Sequence, residues 1–171
     1  MAADPTPWPA SWLQAVPAAV PDEEYRAFVA GLQVVGVRFA KAAVYAPAIY
    51  IPDASRRPRF TITRDARYLN FAQGFTATMV FHFRGWWTDE PTSGVSAEAE
   101  VEVLYRSPVL MSDDLFQRFK EGHLPGHTWP YLREFLHSAL GRTGWPIYTL
   151  PLFAPGKSGG PASPAPGGLN G

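Results

Sequence analysis

The sequence predicts an α+β fold: a four-stranded antiparallel sheet covered on one face by two C-terminal helices, with a short helix in front. Three observations carry this. Phe75, Ala77, Met79, Phe81 and Phe83 alternate with Thr76, Thr78, Val80, His82 and Arg84, the period of a strand with one buried face. Ala97, Ala99, Val101, Val103 and Tyr105 alternate with Glu98, Glu100 and Glu102 after the turn-rich DEPTSG of 89–94, so the two strands form a hairpin. Two patterns of helical period follow. Strands first and helices last is the order of a sheet with helices on one side.

In chain order, Asp22 is placed to cap a short helix, with Glu23 and Glu24 in its first turn and Gly31 at its end. Tyr25, Phe28, Val29 and Leu32 sit at helical spacing. From Leu32 to Ala46 the residues turn Val-rich and aromatic, a long strand in which Gly36 marks a bulge and which Pro47 stops. A loop with Pro52 and Pro58 leads to a second strand around Phe60 and Ile62. After the hairpin, Ser112 caps a helix that carries Asp113 and Asp114 in its first turn and ends at Gly122. The last helix is predicted over 128–141, with Pro130 in its first turn and Trp129, Leu132, Leu136, Ala139 and Leu140 on its apolar face.

Length and charge bound the function. The 171 residues make one domain with tails, and 15 basic residues balance 15 acidic ones. That balance argues against a nucleic-acid partner. The absence of cysteine excludes disulfide scaffolds, thiolate metal sites and cysteine nucleophiles. No apolar run reaches the length of a membrane span, and the N-terminus lacks the basic start of a secretory leader. The expected location is therefore cytoplasmic, without membrane insertion. Proline divides the chain into a flexible arm over 1–20, a folded domain over 21–153 and a disordered Gly/Pro/Ser tail over 154–171. Trp8 and Trp12 make the arm a candidate for docking.

Nothing in the residues argues positively for catalysis. His123 and His127 stand four apart, the spacing of two ligands on a helix, but Pro125 and Gly126 lie between them. They read as linker histidines in solvent. Gly156-Lys157-Ser158 resembles the end of a phosphate loop, but Pro151 occupies the position of its first glycine. There is no Gly-x-Ser-x-Gly elbow. No catalytic residue, cofactor or metal is therefore expected. Glu98, Glu100 and Glu102 share one sheet face, either solvated or a docking patch for a basic partner. The remaining signal is aromatic and aliphatic excess at element ends: Tyr45 and Ile49 to Ile51, Trp86 and Trp87, and Val109 to Met111. It reads as core filling, a subunit interface or a groove for an extended chain.

Trp129-Pro130-Tyr131-Leu132-Arg133-Glu134, then Gly144-Trp145-Pro146, then Leu150-Pro151-Leu152 resemble the C-terminal helix and closing segment of the SecB protein-export chaperones. Val34-Val35-Gly36-Val37-Arg38 is similar to that family's first strand, and Glu102-Val103-Leu104-Tyr105 to the end of its fourth. Element order agrees over about 30–153. The resemblance implies an ATP-independent holdase for unfolded polypeptides, without enzymatic activity, assembled as a homo-oligomeric dimer of dimers. It places a client groove at Ile49, Tyr50, Ile51, Phe60, Ile62, Val109 and Leu110. It places a docking face for the SecA motor at Glu98, Glu100 and Glu102. The chain departs from export-type members in its neutral charge, in Lys41 where they carry an acidic residue, and in its tail. Two partner classes stay open on that ground: export precursors with SecA, or the antitoxin of a toxin–antitoxin system. An interaction module that binds one folded partner is a third reading.

Overall fold

The computed structural model describes residues 20–46 and 58–153, with the side chains of 90–93 left out. The predicted arm over 1–20, except Val20, and the tail over 154–171 lie outside the described residues. So do Ile49, Tyr50 and Ile51.

The elements are α1 (Asp22–Ala30), β1 (Gln33–Tyr45), β2 (Pro58–Phe71), β3 (Gly74–Trp87), β4 (Glu90–Arg106), α2 (Asp113–Glu121) and α3 (His123–Thr143). The strands form one antiparallel sheet in the order β1-β4-β3-β2. The alternation in β3 and β4 does as predicted. Phe75, Ala77, Met79, Phe81 and Phe83, with Val101, Val103 and Tyr105, are buried against Phe116 and Phe119 of α2 and Trp129, Leu132, Leu136 and Leu140 of α3. The segment after α3 closes this layer. Trp145 stacks on Trp87 at 4.8 Å between ring centres, and Trp129 Nε1 donates to the Pro151 carbonyl at 2.7 Å.

Both hairpins are tighter than the sequence suggests. β3 and β4 pair down to Trp87 and Glu90, so residues 90–94 belong to the strand rather than to the predicted turn. A register shift between Trp86 and Trp87 takes up the irregularity there. β2 pairs with β3 down to Phe71 and Gly74. A Cβ on Gly74 would lie 1.9 Å from the Tyr105 carbonyl oxygen, so only glycine fits that approach. In β1 the register shifts between Val34 and Gly36, where the sequence places a bulge, and again between Phe39 and Lys41.

The helix ends correct four expectations. Pro21, not Asp22, stands before α1, and Asp22 instead pairs with Arg118 at 2.6 Å. α3 begins at His123 rather than 128, because Pro125 falls in its first turn, where the missing N–H has no helical partner to lose. Pro130 is then interior to the helix. The helix runs through it because Leu124, Trp129, Leu132, Leu136 and Leu140 bury one face on both sides of it. It also passes Gly141 and stops at Gly144, whose left-handed backbone (φ 75°) ends it. Ser112 caps α2 as predicted, its Oγ accepting from Leu115 N at 3.3 Å.

Candidate functional site

The open face of the sheet carries the predicted acidic row. Glu98, Glu100 and Glu102 all project from β4 on the side away from the helices, and each meets a cation from another strand. Arg38 bonds Glu102 at 2.7 Å and Lys41 bonds Glu98 at 2.8 Å, both from β1. Arg67 reaches over β3 from β2 to Glu100 at 2.5 Å. The hydrogen bond from Lys41 holds the Glu98 carboxyl below its usual range, and the same bond raises the Lys41 ammonium. The three carboxylates therefore do not face one another as bare charges. The row is internally neutralised, and exposed, solvent-screened pairs of this kind add little to stability.

The expected groove residues separate. Ile62 is 4% exposed and belongs to the core. Phe60 is half-buried, stacked on Tyr148 at 4.3 Å and leaning on Phe83 at 5.6 Å. Val109 and Leu110, by contrast, are 51% and 63% exposed on the connector from β4 to α2. That connector is pinned to β2. Asn70 Nδ2 donates to the Met111 carbonyl at 2.9 Å, and Met111 N donates to Asn70 Oδ1 at 3.0 Å. The Ser107 hydroxyl also bonds the Val109 backbone.

The clamp brings Val109 and Leu110 beside the end of β2, where Leu69 (71%) and Phe71 (40%) are exposed. Four exposed apolar side chains thus lie at this corner of the sheet, on two segments that the clamp ties together. Leu69 and Phe71 escaped the sequence reading. A signal existed: with Ile62 facing the core, the period of two puts Thr61, Thr63, Asp65, Arg67 and Leu69 outward, and a leucine in that phase is out of place. A second set of rings, Phe39, Tyr131 and Phe135, packs where β1 meets α3, with centres 6.3 and 5.7 Å from Phe39.

His123 and His127 are not linker histidines in solvent, because α3 includes both. His123 Nδ1 meets the Tyr25 hydroxyl at 2.8 Å, and His127 Nδ1 meets that of Tyr105 at 2.7 Å. Burial pushes both imidazoles below their usual value; Arg118 adds to this at His123 and His123 at His127. Burial likewise pushes Tyr25 up to about 12 and raises Tyr105. Among the described residues no three His, Asp or Glu side chains group as a metal site. A cavity between β2 and α2, lined by Arg64, Asp65, Ala66, Met79, Lys120 and Glu121, measures about 40 Å³. That is room for a water, not for an organic substrate. Beside it Arg64 and Glu121 pair at 2.5 Å.

No family model and no curated protein matches the sequence. Among solved structures the chain is similar to the Mycobacterium tuberculosis Rv1957 SecB-like chaperone in complex with a ChAD peptide from the Rv1956 HigA1 antitoxin. The similarity covers 73% of this chain and 93% of that one, at a TM-score of 0.63 and 14% sequence identity. The fold is therefore SecB-like. No helix among the described residues is long and apolar enough to cross a membrane.

Proposed function

We propose that this protein is an ATP-independent chaperone that holds unfolded polypeptide segments and catalyses no reaction. The observation that carries the reading is the apolar corner of Leu69, Phe71, Val109 and Leu110, exposed on a SecB-like fold. Side chains of this size standing in water on a clamped backbone serve a partner better than they serve the monomer. Covering about 1,000 Å² of apolar surface is worth roughly 25 kcal/mol before the cost of ordering the client. Several modest patches on an oligomer would recover affinity through avidity. The dimer of dimers implied by the resemblance is proposed for that reason, and β1, at the sheet edge with Val34 and Val35 exposed, is its candidate contact. The proposed location is the cytoplasm.

Of the two clients, an antitoxin segment is favoured. The structural neighbour is described with an antitoxin peptide. The pairing of Glu98, Glu100 and Glu102 with Lys41, Arg67 and Arg38 also weakens the acidic field that a SecA-type partner would read. Delivery of export precursors to SecA remains the second reading.

The test is aggregation of a chemically unfolded client at a stoichiometric ratio without nucleotide. Wild type should suppress the turbidity. A folded Leu69→Ser/Leu110→Ser variant should lose most of that effect. Full suppression by the variant would remove the corner from the function. No suppression by folded wild type, with one folded partner bound tightly, would leave an interaction module instead.

A further inference from the structure

Helix α1 is attached by few groups. Tyr25 and Phe28 are its only buried residues, three apart and so on one side of the helix. The Phe28 ring stacks on Phe75 at 6.2 Å and meets Phe119 edge-on at 6.0 Å. Below it Phe75 stacks on Tyr105 at 4.9 Å, and Tyr105 meets Phe119 at 5.3 Å. These three rings are fully buried and form the floor of a pocket that α1 fills. At its rim the Arg118 guanidinium lies 4.2 Å over the Tyr25 ring, donates to the Val20 carbonyl at 2.9 Å and pairs with Asp22 at 2.6 Å. The Tyr25 hydroxyl reaches His123.

The helix is poorly equipped to stand without this seat. It has 9 residues, no side-chain cap and no basic residue in its last turn, well short of the length at which a lone helix holds in water. Seating and helicity are therefore one event. The sheet pairs without it, since β1 is bonded along its length to β4. Only Gly31 and Leu32 join α1 to β1.

We propose that the aromatic pocket under α1 is a second binding surface, which α1 covers in cis as a removable plug. Its trans occupant is a segment with the chemistry that α1 shows. Such a segment carries an acidic residue, then an aromatic three later, then another three after that, as Asp22, Tyr25 and Phe28 do. The carboxylate meets Arg118, the first ring lies under the guanidinium, and the second enters between Phe75 and Phe119. That the segment comes from a client rests on the chaperone reading; the pocket's capacity to take it does not.

The probe is a fluorescein-labelled peptide of residues 21–32, added to full-length chains. Against a Tyr25→Ala/Phe28→Ala variant, whose own plug is weakened, binding should be saturable and should fall on Arg118→Ala. A cover seated nine-tenths of the time weakens binding to wild type about tenfold relative to an open pocket. A variant with wild-type circular dichroism and solution mass that fails to bind the peptide overturns the proposal. Should the variant not fold, amide exchange on wild type decides. Exchange of the α1 amides while α2 and α3 stay protected supports a removable plug, and exchange only together with β3, β4 and α3 overturns it. Peptide binding without suppression of client turbidity sinks the chaperone reading alone; suppression without peptide binding sinks the plug alone.

Discussion

Phe119 and His123 show what single residues do here. Phe119 is fully buried and touches Phe28, Phe75 and Tyr105, rings from α1, β3 and β4. Phe119→Ala leaves a cavity where three elements meet, with an expected loss of about 3–5 kcal/mol in urea unfolding. Burial, and Arg118 beside it, lower the His123 imidazole from its ordinary value of 6.5. His127, above Tyr105, is depressed as well. The folded state thus binds fewer protons than the open one. The contribution is whole above about pH 6.5 and is lost as pH falls from there toward the depressed folded values. Asp22, the carboxylate on the same cluster, is held low by its hydrogen bond from Arg118 and stays charged across this window. Thermal unfolding should therefore show Tm falling between pH 7 and 5 in wild type and falling less in His123→Gln/His127→Gln. An equal slope in both would remove the histidines from the account. None of this was legible in sequence, since Pro125 and Gly126 hid the helix turn that joins the two imidazoles to tyrosines 98 and 22 residues away.

At the scale of elements, capping and period were readable while boundaries were not. Ser112 was legible because a hydroxyl one residue before Asp113 and Asp114 has one obvious partner, the Leu115 amide. Ser112→Ala should cost about 1 kcal/mol, measured by urea unfolding. The connector between β4 and α2 depends on a residue far from it in sequence. Asn70 satisfies both backbone groups of Met111, and no local pattern announces that pairing. Asn70→Ala should destabilise by about 1–3 kcal/mol. It should also lower client holding, because Val109 and Leu110 lose their fixed position. Loss of stability with unchanged holding would show that the corner does not need the clamp. The start of α3 was misplaced for a similar reason. Pro125 reads as a breaker until α2 ends at Glu121 and α3 starts at His123, which makes its ring a first-turn residue.

For the whole molecule, the distinction that matters is between apolar residues used inside and those left outside. Composition shows an excess, with 6 Trp, 7 Tyr and 11 Phe, but does not apportion it. Ile62, expected in a groove, is core, whereas Leu69, seven residues further along β2 and so on its other face, is exposed. A Leu69→Ser/Leu110→Ser chain should keep its stability within about 0.5 kcal/mol, since neither side chain is buried. Its failure to hold clients would then report binding alone. On the open face, replacing Glu98, Glu100 and Glu102 by glutamine should leave client holding intact, because none of the three is among the exposed apolar side chains and the change sets no like charge against Lys41, Arg67 or Arg38. Loss of SecA binding in the same variant would restore the export reading.

By itself the sequence determined the strands, the inward phase of β3 and β4, the cap of α2 and the layer order, because hydrophobic period and capping are set by neighbours a few residues apart. Only the tertiary structure decided which apolar side chains stay in water, which carboxylates are neutralised, and that α1 packs Tyr25 and Phe28 against Arg118, Phe75 and Phe119. Those outcomes depend on pairings such as Asn70 with Met111 and Arg118 with Asp22, which bring together residues 41 and 96 positions apart. Chain distance of that order erases the local signal, and burial is settled only when the layers close.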